Sequence, residues 1–275
     1  MLCQNNFVSP SLNLLLRKEM LRWLPETVKT PFGVDVDVLT WAVDVDDSHA
    51  DDDPLPELDG AEDHLGSVMW NSNSVVLDHL TGTVFENRSA KGLGIIELGA
   101  GVGVLGIALA AGGANVLITD LKELVPLMAL NIHRNRKGRL ANGGSVVAAT
   151  WKWGERIPPA ASKLFGSQSS AVHYVLLCDA LYGNPRDWPQ LIQTLNSIVD
   201  QFGSQIRVVN FCEQRVESVE DAFMALIQKD DERWVASKTS EIQESSSLGM
   251  TVRVTTLQRN NEARKSQQKK RAREE

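Results

Sequence analysis

The residues with the plainest chemical potential are the glycines of Glu97-Leu98-Gly99-Ala100-Gly101-Val102-Gly103. An apolar run, residues 94–98, leads into them, and a second apolar run leads away from Val104 to Ala111. That pattern reads as a strand ending in a Gly-rich turn that opens a helix. Glycines let the backbone approach a nucleotide-like ligand, which then lies at the carboxyl edge of the strands. Asp120 ends the next apolar run, 19 residues after Gly101, where a carboxylate can accept from ribose hydroxyls.

The same turn fits two ligand classes. Gly101-Val102-Gly103-Val104-Leu105-Gly106 satisfies G-x-G-x-x-G, so a nicotinamide enzyme is one reading. A pyrophosphate is anionic, however, and gains nothing from a carboxylate at the strand's mouth. Glu97 stands there. Unless it merely bonds a neighbouring amide, it suits a cation such as the sulfonium and amino groups of S-adenosylmethionine.

These residues need a scaffold, and the flanking pattern supplies one. Strands are expected at Gly94–Leu98, 115–119, 145–149, 173–177 and 205–211, with a final pair near Trp234 and residues 251–257. Helices are expected over 104–111, 122–135, 188–200 and 219–229, and a further helix over 70–80. Alternating helices and nearly continuous apolar strands imply a doubly wound parallel sheet, Rossmann-like and covered on both faces. Upstream, residues 12–24 read as a short helix. Residues 32–39 alternate apolar and polar as a strand with one wet face, and residues 41–43 are a possible further segment of it.

Residues 1–66 therefore form an N-terminal extension with a helix, a β segment and an acidic loop. Residues 67–258 form the α/β domain, and 259–275 a basic disordered tail. The loop from Asp44 to Asp63, with Pro54 and Pro56, reads as a solvated insertion. The tail serves either as a nuclear import signal or as a solubilising end.

The 275 residues carry a net charge of −7, which argues against a surface that coats nucleic acid. No apolar run is long enough for a membrane span, and Leu12–Leu16 is too short for a signal peptide core. The three cysteines lack zinc or redox-pair spacing, so a reducing compartment, cytosol or nucleus, is expected. The histidines form no spaced cluster with Cys or Asp, and no metal site is expected.

The run Ile96 to Ile107, with Thr119-Asp120-Leu121, resembles the seven-strand methyltransferases of the lysine-methyltransferase-like family 16. Gly66-Ser67-Val68-Met69-Trp70 is similar to that family's G-x-x-x-W segment, and Asn131 to an Asn on the helix after the ribose acid. Trp151-Lys152-Trp153-Gly154 resembles its W-G turn, Cys178-Asp179-Ala180-Leu181-Tyr182 contains its D-x-x-Y signature, and Glu213-Gln214-Arg215 matches a short element after the fifth strand. The resemblance covers roughly residues 32–257. Cys178 departs from it, standing where a small residue such as Ala is common.

The resemblance implies an S-adenosylmethionine-dependent N-methyltransferase acting on a protein, lysine first, and functioning as a monomer. It places Gly99, Ala100 and Gly101 along the methionine and ribose portions, Trp153 against the adenine, Trp70 near the methionine end, and Cys178 among the cofactor-binding residues. Asp179 and Tyr182 fall on the acceptor side. Methyl transfer from an activated donor chiefly requires that the nucleophile be aligned and unprotonated. A lysine amine, with a pKa near ~10.4 in water, arrives as an ammonium that Asp179 could hold while a partly dry aromatic pocket favours loss of the proton. Other acceptors (histidine, arginine, an N-terminal amine or a small molecule), a nicotinamide reductase and a binding module without catalysis remain as alternatives.

Overall fold

The computed structural model describes residues 23–41, 65–70, 72–85, 89–136, 143–166, 171–182, 185–214, 218–230, 234–243 and 251–260. The acidic loop, nearly all of the basic tail and most of the expected 12–24 helix lie outside them. Strands β3 (Gly94–Leu98), β4 (Asn115–Asp120), β5 (Ser145–Thr150), β6 (Tyr174–Cys178), β7 (Arg207–Glu213), β8 (Trp234–Gln243) and β9 (Thr251–Arg259) form one seven-stranded sheet. Their order is β5-β4-β3-β6-β7-β9-β8. The five strands from β5 to β7 are parallel, whereas β9 runs antiparallel to both its neighbours, β7 and β8, so the sheet is mixed rather than wholly parallel. The short connection from β8 to β9 returns the chain as a hairpin, and a parallel pairing would need a crossover instead.

The apolar strands are continuous because both faces are covered. Ile95, Val116, Ile118, Leu176 and Val209 face one core, with helices α1 (Ser72–His79), α2 (Val104–Ala111) and α3 (Val125–Asn135). Ile96, Leu117, Val175, Leu177 and Val208 face the other, with α4 (Pro159–Phe165), α5 (Trp188–Phe202) and α6 (Ser218–Asp230). Helix α2 is buried all round, as seven apolar residues and Gly106 between Gly103 and Gly112 require.

An antiparallel hairpin of β1 (Trp23–Val28) and β2 (Val36–Trp41) completes the first core, contributing Trp23, Val28, Val36, Val38 and Leu39. Trp23 and Leu24 therefore belong to a strand, not to the end of the expected helix. Pro25 opposes a helix there, and Thr27 and Val28 are β-branched. Phe32 and Gly33 lie in the hairpin turn, so β2 starts later than the alternation suggests and ends at Trp41. Helix α3 begins at Val125 rather than 122 because Leu121–Leu124 form a separate turn, Leu124 N donating to Leu121 O.

The hairpin is fastened through α3. Asn135 accepts from Asp37 N (3.0 Å) and donates to its carbonyl, while Asn131, one turn earlier, does the same for Leu39 (2.6 and 3.0 Å). The two amides, at i and i+4 on one helix face, thus pair with the edge of β2 as a strand would.

Candidate functional site

The strand order reverses between β3 and β6: the chain moves outward to β4 and β5, then crosses to β6 and β7. The carboxyl ends of the two strands at such a switch point splay their loops apart and leave a crevice. The Gly-rich turn leaves β3 there, and Asp179 follows β6.

The crevice has two parts. A cavity of about 650 Å³ is lined by Gly99, Asp120, Leu121, Lys152, Trp153 and Gln190, among others. A narrow recess of about 40 Å³ lies between Trp70, Asn73, Glu97, Gly99, Cys178 and Asp179 and includes Ala100, Gly101 and Asp120 in its wall. Gly99 and Asp120 belong to both, so the two adjoin.

The turn is laced to the end of β4. The amides of Gly99 and Ala100 both donate to Thr119 O (3.0 Å), and Gly101 N donates to Asp120 Oδ2 (2.8 Å). Asp120 Oδ1 accepts from Leu121 N, which leaves the half-buried carboxylate oriented along the cavity wall. Gly101 needs to be glycine twice over. Its φ is +54°, and an added Cβ would stand 2.6 Å from Gly66 O.

Glu97 is 2% exposed and its Oε2 has no hydrogen-bond partner. Burial pushes its carboxyl up to about 8, with the Gly106 amide opposing and Asp120 reinforcing the rise. A buried carboxylate with one unpartnered oxygen, on a residue that lines a ligand recess, is incomplete without a proton or a cation. The donor set of the crevice thus fits S-adenosylmethionine: a carboxylate for the cationic end, an acidic fork for a ribose, and an indole beside a ring-sized cavity.

Asp179 is the one non-glycine residue at positive φ (+54°) among the described residues. Its amide still bonds Phe211 O (2.8 Å), and its Oδ1 accepts from Glu213 N (3.2 Å). The chain therefore turns out of β6 sharply while the carboxylate stays on the recess wall, a conformation that Asp tolerates better than most residues. Trp153 is held by its neighbour, since Gly154 N donates to Thr194 Oγ1 (2.8 Å) on α5. Trp151, by contrast, is 2% exposed and packs in the second core.

The crevice collects Trp70, Glu97, Gly99, Ala100, Gly101, Asp120, Trp153, Cys178 and Asp179. The backbone of Tyr182 closes a short helical turn after Asp179, and its side chain lies outside the described residues. Two contributors escaped the sequence. Asn73 lines the recess from the first turn of α1, its Nδ2 bonded to Trp70 O (2.8 Å) and its Oδ1 3.9 Å from Cys178 Sγ. Thr40 reaches the recess wall from β2, as described below. Asn73 meets Cys178, and Thr40 meets Ser67 and Met69, across separations that no local pattern reveals.

Residues 49–230 match a family model described as lysine methyltransferase. The protein-lysine methyltransferase METTL21E of Bos taurus is 31% identical over 128 residues, covering 46% of this chain and 42% of that protein. The protein N-lysine methyltransferase METTL21A of Danio rerio is 41% identical over 94 residues, covering 34% and 40%. The chain thus spans less than half the length of either relative. Among solved structures, the magnesium protoporphyrin IX methyltransferase from Synechocystis PCC 6803 with bound SAM is 16% identical, with a TM-score of 0.48 over 75% of this chain and 99% of that one.

Proposed function

The chain belongs to the lysine methyltransferase family, and on that footing we propose that it transfers a methyl group from S-adenosylmethionine to a lysine side chain of another protein. One observation carries the choice of donor: the buried Glu97 carboxylate, with an unpartnered Oε2, on the recess beside the Gly-rich turn. A cation completes that site, whereas a pyrophosphate would set a second anion against it.

The bound donor supplies a sulfonium-activated methyl carbon. Asp120 accepts from the ribose hydroxyls, and Trp153 stacks on the adenine. Trp70, Gly99, Ala100, Gly101 and Cys178 enclose the methionine arm. Asp179 receives the acceptor ammonium across the recess, and Tyr182 completes that side. The half-buried surroundings of Asp179 raise the cost of a charged amine, which favours its deprotonation before attack. Cys178 and Cys212 stand outside any disulfide, which supports a reducing compartment, cytosolic or nuclear. A monomer acting on a protein rather than on nucleic acid is the expected form.

Methyl-depleted lysate given this protein and tritiated donor tests the reading. Label should enter a protein band, and mass spectrometry should find it on lysine. Asp120→Ala should abolish binding of S-adenosylhomocysteine, while Asp179→Ala should keep binding and lose transfer. Label on histidine or arginine would overturn the acceptor, and no label together with no binding would overturn the donor.

A further inference from the structure

Both walls of the donor recess are tied to the same two residues of β2. On one wall, Asn131 is fully buried and spends its Nδ2 on two carbonyls, Leu39 O (3.0 Å) and Val102 O (2.9 Å), the latter in the Gly-rich turn. On the other wall stands the segment 65–70, which carries Gly66, Val68 and Trp70 into the recess. Thr40, adjacent to Leu39, holds that segment with one hydroxyl: Oγ1 donates to Ser67 O (3.1 Å) and accepts from Met69 N (2.6 Å). Thr40 is 4% exposed and Ser67 is fully buried, so water cannot replace either bond without reorganising the wall.

The clamp brackets Val68 and fixes Gly66 on one side and Trp70 on the other. Gly66 has no slack. An added Cβ there would meet Leu124 Cδ1 at 2.6 Å, and its carbonyl is pressed against Gly101. Distance between the walls is therefore set from β2, through Asn131 to Val102 and through Thr40 to residues 67 and 69. The larger cavity shares Gly99 and Asp120 with the recess, but most of its lining comes from the segments that follow β4 and β5 and from the start of α5.

We propose that Thr40 is a positioning residue for the methionine arm of the donor, acting through residues 66–70 and leaving the adenosine end unaffected. The inference rests on the donor assignment above and adds to it a residue of the N-terminal hairpin. No bond to the donor is required of Thr40 itself. It holds Trp70 and the Gly66 carbonyl where the arm meets them.

The comparison that tests this is the binding of S-adenosylhomocysteine and of adenosine, each titrated calorimetrically against wild type, Thr40→Val and Thr40→Ser. Valine keeps the shape and loses both bonds, whereas serine keeps the hydroxyl. Thr40→Val should bind S-adenosylhomocysteine about tenfold more weakly, the order expected for a buried hydroxyl bond lost. Adenosine affinity should stay within twofold of wild type, and Thr40→Ser should restore both. Equal weakening of the two ligands would mark Thr40 as merely structural and overturn the proposal, as would no weakening at all. A wild-type protein that binds adenosine but not S-adenosylhomocysteine would overturn the donor assignment, and this inference with it. If Thr40→Val does not fold, Thr40→Cys, whose thiol is a weak donor and acceptor, is read in the same way.

Discussion

Replacing Glu97 by Gln removes one charge from the core at nearly constant shape. Burial raises the Glu97 carboxyl from 4.5 to about 8 in the folded chain. Between those values the folded protein holds a proton that the unfolded chain has already lost, so stability falls as the pH rises through the window. The sign is that of a raised acid: the contribution is fully present below 4.5 and is spent by about 8. Each unit costs up to ~1.4 kcal/mol, so the loss reaches about 4 kcal/mol at pH 8 but less than about 1 kcal/mol at pH 5. Glu97→Gln stays neutral throughout and should lack this slope. Urea denaturation followed by circular dichroism from pH 5 to 8.5 reads the difference between the two proteins, in which the remaining titrating groups cancel. Donor binding should run the other way, since a cation beside Glu97 calls for the ionised form. Calorimetry of S-adenosylhomocysteine at pH 7 in two buffers of different ionisation enthalpy should then show close to one proton released by wild type and none by the variant. Parallel stability curves, or proton release that persists without the carboxyl, would refute the reasoning.

Three further outcomes are expected. Gly101→Ala should cost ~1–2 kcal/mol for the positive φ alone and more for the contact with Gly66 O, lowering the melting temperature and removing S-adenosylhomocysteine binding together. Trp153→Ala should weaken adenosine binding by ~1–3 kcal/mol, the range for a stacked base, with Trp153→Phe intermediate. Asp179→Asn tolerates the left-handed backbone and can still accept from Glu213 N, so its melting temperature should stay close to wild type. Its donor affinity should also hold while kcat falls at least tenfold. A loss of donor affinity in that variant would place Asp179 on the wrong side of the recess.

Much of this was legible in the chain, and the reasons differ by element. β3 and β4 were readable because strands covered on both faces are continuously apolar, and α2 because Gly103 and Gly112 bracket a run whose only non-apolar member is Gly106. Helix α4 falls where no element was expected, although Pro159 suits the first helical position, where no amide bond is lost. β1 was misread because its partner β2 decides its conformation, and pairing across a turn leaves no helical or strand period in six residues. The final strand pair was legible, but the direction of β9 was not, because strand direction is a property of the pairing.

The site divides likewise. Gly99, Gly101, Asp120 and Asp179 announce themselves through turn chemistry and spacing, because their roles depend on neighbours in sequence. Thr40 meets residues 27 and 29 positions away, and Asn131 meets Val102 from 29 positions away. Such contacts follow from register and crossing angle, which no local pattern encodes. The orphaned oxygen of Glu97 was foreshadowed by its place at the strand's mouth, but its isolation became apparent only once Gly106 and Ile118 were seen packed around it.

Crystals soaked with S-adenosylhomocysteine test the donor assignment most directly. Difference density should run unbroken from the face of Trp153, past the Asp120 carboxylate and Gly99, into the recess beside Glu97 and Asp179. An empty crevice, or the compound bound at another place on the protein, would contradict it.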